Sequence, residues 1–215
     1  MNRTSELLRK ISDSPDERAF KELFNLYASR LVCFADSFLR NHELSEEVVS
    51  DVFLKIWIHR KDLFEIENFK AYLFKATRNT ALNYMETEKR LKAERLEDLN
   101  ENFITDNISP ETSMISKELS ETIDAAINHL PSRCKLIYNL AKTEKLKYKE
   151  ISSILNISVK TIDSQVVIAV KKIGETIRNN FDKGNNDKLF PILLQLFIPE
   201  EIKKQAGQFL NELES

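Results

Sequence analysis

The amino-acid sequence predicts an all-α protein: two small helical domains joined by a flexible acidic linker, the second containing a helix-turn-helix, plus a C-terminal helical extension. Three observations carry this. The 215 residues include only 3 Gly and 5 Pro, where average usage would give roughly 15 and 11. So few breakers favour long helices over the tight turns of sandwiches, barrels and glycine-loop nucleotide folds. Apolar residues recur at helical spacing through most of the chain, and an acidic, Asn-rich stretch interrupts them at 96–113. That stretch, LEDLNENFITDNISPETS, has the composition of a linker.

The elements follow in order. Ser14 is placed to cap a helix, with Pro15 at its first position and Glu17 completing a capping box. Phe20, Leu23, Phe24, Tyr27, Leu31, Phe34 and Phe38 then continue at helical spacing. A second helix is expected from about Glu43 to His59, with rows Val48, Val52, Ile56 and Val49, Phe53, Trp57. Arg60 to Glu67 breaks the pattern and reads as a loop. A third helix runs from about Asn68 to Arg95, with Phe69, Tyr72, Leu73 and Ala76 expected inside. The first domain is thus 1–95 and the linker 96–113. The second domain, 114–180, opens with a helix near Ile115–Asn128, breaks at Leu130-Pro131 and continues through Ser132–Thr143 into two further helices. The extension, 181–215, begins with a polar break. It then carries the apolar run Leu189–Ile198 and a last short helix with Ile202, Ala206, Phe209 and Leu213 inward.

Composition limits function. Hydrophobic residues at 42% and charged residues at 31% describe globular domains. Cys33 and Cys134 stand far apart with no CxxC, which argues against a zinc site or disulfide framework and fits a reducing cytoplasm. The N-terminus has no apolar h-region, and no run of about 18 apolar residues offers a membrane span. His42, His59 and His129 are isolated, with no HExxH, GxSxG or phosphate-cradling glycine loop. No catalytic residue, metal or cofactor is expected, and the chain reads as a binding protein, not an enzyme.

Charge is ordered along the chain although the net value is −2. The blocks 55–95 and 133–178 carry +4 and +6, and the block between them carries −7. Solvated helix faces account for such runs, but charge gathered on one face is also the footprint of nucleic-acid binding. The stretch from Leu146 to Ile162 favours the second reading. Ile151, Ile154 and Leu155 face inward on one helix, and Asn156 sits where the chain needs a residue that tolerates the left-handed region. Ile157 plugs the angle, Ser158 caps the next helix, and Val159 and Ile162 face in. Lys160, Thr161, Ser164 and Gln165 then present polar tips from the N-terminal half of that helix, as a major-groove reader requires. Lys149, Lys171 and Lys172 are placed to hold flanking phosphates.

With these residues in hand, the sequence resembles the extracytoplasmic-function (ECF) sigma factors of bacterial RNA polymerase over about 15–95 and 115–178. Ser45 to Trp57 resembles the family's acidic polymerase-docking helix, and Phe69 to Asn79 its helix facing the −10 promoter element. His129-Leu130-Pro131, Tyr148-Lys149-Glu150-Ile151 and Ile157-Ser158-Val159-Lys160-Thr161 resemble the region that reads the −35 element. The resemblance implies a sigma factor that binds core RNA polymerase, recognises promoter DNA, promotes transcription initiation and is held by an anti-sigma partner. By that resemblance Glu46, Glu47, Asp51, Phe53 and Trp57 meet polymerase, although core packing is an alternative for Phe53 and Trp57. Lys75, Arg78, Asn79 and Asn83 share one face of the third helix and suit a melted −10 strand. Phe64 is either a stacking platform there or a core residue. Lys149, Lys160, Thr161, Ser164, Gln165, Lys171 and Lys172 would contact the −35 element. Ile168 and Val170 stand where the family often carries cations. The alternative is a helix-turn-helix regulator that does not depend on polymerase docking.

Overall fold

The computed structural model describes residues 3–94 and 124–181, with side chains through 88 and from 124 to 176. All of the regular structure among these residues is helical. The chain divides into two compact units, Met1–Ile104 and Thr105–Ser215. The linker at 96–113, most of the helix expected near 115–128 and the apolar run at 189–198 lie outside the described residues.

The first unit holds α1 (Arg3–Asp13), α2 (Glu17–Leu39), α3 (His42–Ile58), a 3-10 helix (Arg60–Glu65) and α4 (Phe69–Glu94). The periodicity from Phe20 onward does not announce α1. It buries Leu7, Leu8 and Ile11 against α2 and the 3-10 helix. Helix α2 begins two residues later than the Ser14 cap predicts. Asp16 is the cap, its Oδ1 accepting from the amides of Arg18 and Ala19 at 3.0 Å each. Ser14 instead donates back to the carbonyl of Lys10 and closes α1. A carboxylate that takes two orphan amides at a helix N-terminus is the stronger cap.

Helix α2 buries Ala19, Leu23, Tyr27, Leu31, Phe34 and Ala35 along one stripe. It ends at Arg40, held in the left-handed region at φ 51°, and Asn41 immediately caps α3 by accepting from the amide of Leu44. This short junction lays α3 back against α2, and α4 packs on both. The core between them is aromatic: Phe24 and Phe53 pack edge to face at 4.8 Å, as do Phe34 and Phe74 at 4.9 Å. The segment read as a loop is the 3-10 helix, with Leu63 buried. On α4 the inward residues are Phe69, Leu73, Phe74, Thr77, Thr80 and Ala81. Tyr72, expected inside, is 40% exposed. Its ring stacks on that of Phe69 at 6.3 Å, which holds it on the outer side of the helix. Cys33 is exposed on α2.

The second unit is described from a helical turn at 124–128 through α5 (Ser132–Lys142), α6 (Tyr148–Leu155) and α7 (Val159–Phe181). Its core joins Cys134, Ile137, Tyr138, Leu140 and Ala141 of α5 to Ile151 and Ile154 of α6. Ile162, Val166, Ala169, Val170 and Ile173 of α7 complete it. Val170, which the resemblance sets at a position of cations, is a core residue here, so no cation could stand there without losing its water. Among the described residues no single helix is long and apolar enough to cross a membrane, and no group of His, Cys, Asp or Glu could hold a metal ion.

Candidate nucleic-acid interface

In the second unit the chain bends by 108° between α6 and α7, within the range of helix-turn-helix motifs. Asn156 makes the bend in the left-handed region, at φ 53° and ψ 48°. An amide side chain tolerates that region at less cost than other residues with a Cβ. Ser152 Oγ donates to the carbonyl of Ile157 at 2.6 Å, and Ile157 is half-buried in the angle. Ser158 Oγ accepts from the amide of Thr161 at 3.0 Å and so caps α7. The residues named for this motif are thus brought together by one turn.

The outward face of α7 holds Lys160 and Ser164 exposed, with Thr161 and Gln165 half-buried. Thr161 turns its hydroxyl toward that of Ser158 at 2.8 Å. Ser164 donates to the carbonyl of Lys160. Lys149, Lys171 and Lys172 are all exposed, and Ile168 lies between Ser164 and this lysine pair at 40% exposure. Val159, expected inside, is 41% exposed. It is the first residue of α7, and a helical side chain leans toward the N-terminus, so Val159 overhangs the turn and the core begins at Ile162. Behind the face, the thiol of Cys134 donates to the carbonyl of Gln165 at 3.2 Å. Burial pushes that thiol up, against a smaller opposing effect of Lys172.

The first unit presents two further rows. On α4, Lys75, Asn79 and Asn83 are exposed at i, i+4, i+8, and Arg78 beside them is half-buried. The Arg78 Nε is buried without a hydrogen-bond partner. Tyr72 heads this row, an aromatic that the inward assignment concealed; its spacing of three to Lys75 is the signal that could have found it. Phe64 projects from the 3-10 helix at 63% exposure, which removes the core alternative for it.

On α3 the expected docking set divides. Glu46 and Glu47 are exposed. Asp51 is half-buried and accepts from the hydroxyl of Tyr84 on α4 at 2.8 Å, with Glu47 at 3.3 Å from the same hydroxyl. Phe53 is only 2% exposed and belongs to the core, packed against Phe20 and Phe24, so it cannot present itself to a partner. Trp57 is half-buried, with Phe20 at 4.9 Å and the Arg60 guanidinium 5.0 Å above its ring. The apolar side chains that α3 does expose are Leu54 at 56% and Ile58 at 60%. Glu47, Asp51, Leu54 and Ile58 follow at spacings of four, three and four, which makes one row of mixed acidic and apolar character.

The family model described as Sigma-70 region 2 matches residues 23–91, and that of Sigma-70 region 4 matches 120–173. Together they cover more than half of the chain. This chain belongs to the ECF sigma factors. It is 26% identical over 159 residues to the ECF RNA polymerase sigma factor SigW of Bacillus subtilis, covering 70% of this chain and 84% of that one. It is 25% identical over 182 residues to the ECF RNA polymerase sigma-E factor of Haemophilus influenzae, covering 81% and 96%. Among solved structures, the sigma factor RpoE of Bartonella quintana, determined with the anti-sigma factor NepR, matches with a TM-score of 0.49 and 25% identity over 74% of this chain and 96% of that one. The ECF sigma factor is an alternative sigma factor that acts in transcription initiation. Its helix-turn-helix lies within the region 4 match, and α3 and α4 lie within the region 2 match. Helix α1 precedes that match.

Proposed function

We propose that this sigma factor divides its work among three surfaces. The α3 row of Glu47, Asp51, Leu54 and Ile58, with Glu46 beside it, docks on core RNA polymerase. The α4 row of Lys75, Arg78, Asn79 and Asn83, with Phe64 and Tyr72, receives the melted −10 strand: cations hold phosphates while aromatic faces accept unstacked bases. The helix-turn-helix reads the −35 element through Lys160, Thr161, Ser164 and Gln165, with Lys149, Lys171 and Lys172 on phosphates. Residues 1–95 and 114–180 form the two working domains, 96–113 the tether and 181–215 an extension. The protein works in the cytoplasm, and an anti-sigma protein holds it in check by covering these surfaces.

The observation that carries the docking assignment is the exposure of Leu54 and Ile58 beside two carboxylates on a helix whose other face is fully engaged in the core. Large apolar side chains left on a surface mark a contact site when they form a patch. The test is a Leu54→Asp/Ile58→Asp variant in a transcription system reconstituted with core RNA polymerase. Association with core polymerase should fall at least tenfold, while circular dichroism and binding to duplex promoter DNA stay as in wild type. Unchanged association refutes the docking row. Transcription regulated without any association with core polymerase would establish the helix-turn-helix regulator instead.

A further inference from the structure

We infer that α1 is a positioning splint for the strand-capturing 3-10 helix, acting through the Ser12 hydroxyl. This rests on the assignment of Phe64 to the melted −10 strand. The 3-10 helix is short, six residues from Arg60 to Glu65, and it is closed at its ends by the amide of Asp62 donating to the carbonyl of His59 at 3.1 Å and that of Ile66 to the carbonyl of Leu63 at 3.3 Å. Such turns have poor hydrogen-bond geometry and are not stable alone. What holds this one is its neighbours. Its inward side chain is Leu63, 2% exposed, and the element packed most extensively on it is α1.

The attachment is specific at both ends of α1. At the far end, Arg3 makes a two-pronged pair with Glu22 of α2, Nε to Oε1 at 2.6 Å and Nη2 to Oε2 at 2.7 Å. Thr4 meets the hydroxyl of Tyr27 at 2.8 Å. At the near end, Ser12 Oγ donates to the carbonyl of Arg60 at 2.8 Å, in a half-buried setting. Arg60 is the first residue of the 3-10 helix, and its guanidinium in turn donates to the carbonyl of Trp57 at 3.0 Å and lies over the Trp57 ring. The start of the segment is therefore fixed from α1 on one side and from α3 on the other. Four residues on, Phe64 stands 63% exposed. A ring that must receive an unstacked base gains from having its backbone fixed beforehand, because ordering it on binding would cost affinity.

The test uses the full chain assembled with core RNA polymerase and a promoter selected by that holoenzyme from a random-sequence library. Ser12→Ala, Ser12→Thr and Phe64→Ala are compared with wild type for binding the single-stranded non-template −10 segment, the −35 duplex and core polymerase. A hydrogen bond of this kind corresponds to roughly two- to tenfold in an equilibrium. Ser12→Ala should weaken single-strand binding by that factor, with duplex and core polymerase binding unchanged. Ser12→Thr should restore it. Hydrogen exchange across residues 59–66 should quicken in Ser12→Ala alone. Unaltered exchange, or quickened exchange with undiminished single-strand binding, overturns the splint. Equal losses of strand and core polymerase binding reveal a general folding role and overturn it as well. If Phe64→Ala binds the single strand as wild type does, the capture assignment has failed and the functional half of the splint falls with it, whatever the exchange result.

Discussion

Replacing Tyr84 by Phe removes one oxygen from the contact between α4 and α3 and leaves the ring. That ring packs against a core cluster of Ala35, Val48 and Ala81, with Leu39 beside it, so no cavity follows. What disappears is the hydroxyl donated to Asp51 at 2.8 Å and shared with Glu47 at 3.3 Å. A hydrogen bond to a charged acceptor contributes about 1.5–3 kcal/mol, and the half-buried setting places this one near the lower end, at about 1.5 kcal/mol. With an m-value of about 1.5 kcal/mol per molar urea, the unfolding midpoint of the first unit should fall by about 1 M. Trp57 is the single tryptophan of the chain, so its fluorescence follows the first unit alone in the full-length protein. The loss should shrink when Tyr84→Phe is made in an Asp51→Ala background, since contacting residues are not additive. The pH dependence has a defined sign. The hydroxyl is pushed above its ordinary value of 10 by burial first, then by the hydrogen bond and charge of Asp51 and the weaker effect of Glu47. The folded chain thus holds this proton more tightly than the unfolded chain. The contribution is complete below about pH 10 and is lost as pH rises further, so the two midpoints should converge at alkaline pH. An unchanged midpoint at pH 7, or an equal loss with Asp51 already removed, would refute the reasoning.

Asn156→Ala should destabilise the second unit by about 1–2 kcal/mol, the cost of a left-handed residue with an ordinary Cβ, while Asn156→Gly should not; hydrogen exchange of the α7 amides distinguishes them. Lys171→Ala should weaken binding to all duplex sequences alike and reduce the log–log salt slope by about 0.9. Gln165→Ala should alter sequence preference, as read by competition among promoter variants.

Much of this architecture is legible in the sequence because the strongest signals are local. The αL site at Asn156, the cap at Ser158 and the inward Ile151, Ile154 and Ile162 are all set within one short stretch, and the structure agrees with each. The departures arise where two local signals compete. Ser14 and Asp16 are both good caps two residues apart, and only the direction of the backbone decides for Asp16. On α3, residues 52–54 and 56–58 are all apolar, so periodicity cannot say which of Phe53 and Leu54 meets the core. Packing against Phe20 and Phe24 gives that place to the larger ring and leaves Leu54 outside. Helix α1 offers only Leu7, Leu8 and Ile11 as apolar anchors, and its place depends on the distant Glu22, Tyr27 and Arg60. The bond between Tyr84 and Asp51 joins residues 33 apart, beyond the reach of any spacing rule within one helix.

The two thiols of the chain live in opposite chemical worlds. Cys134 is buried, its S–H committed to the carbonyl of Gln165, and burial keeps it protonated further up the pH scale than an ordinary thiol. Alkylating agents and peroxides act on thiolates, so this sulfur is protected by its surroundings, and the helix it steadies is insulated from oxidative chemistry. Cys33 faces solvent and meets such reagents first. A single maleimide dye added to the unmodified protein would therefore settle on α2, giving the first unit an optical marker without any substitution.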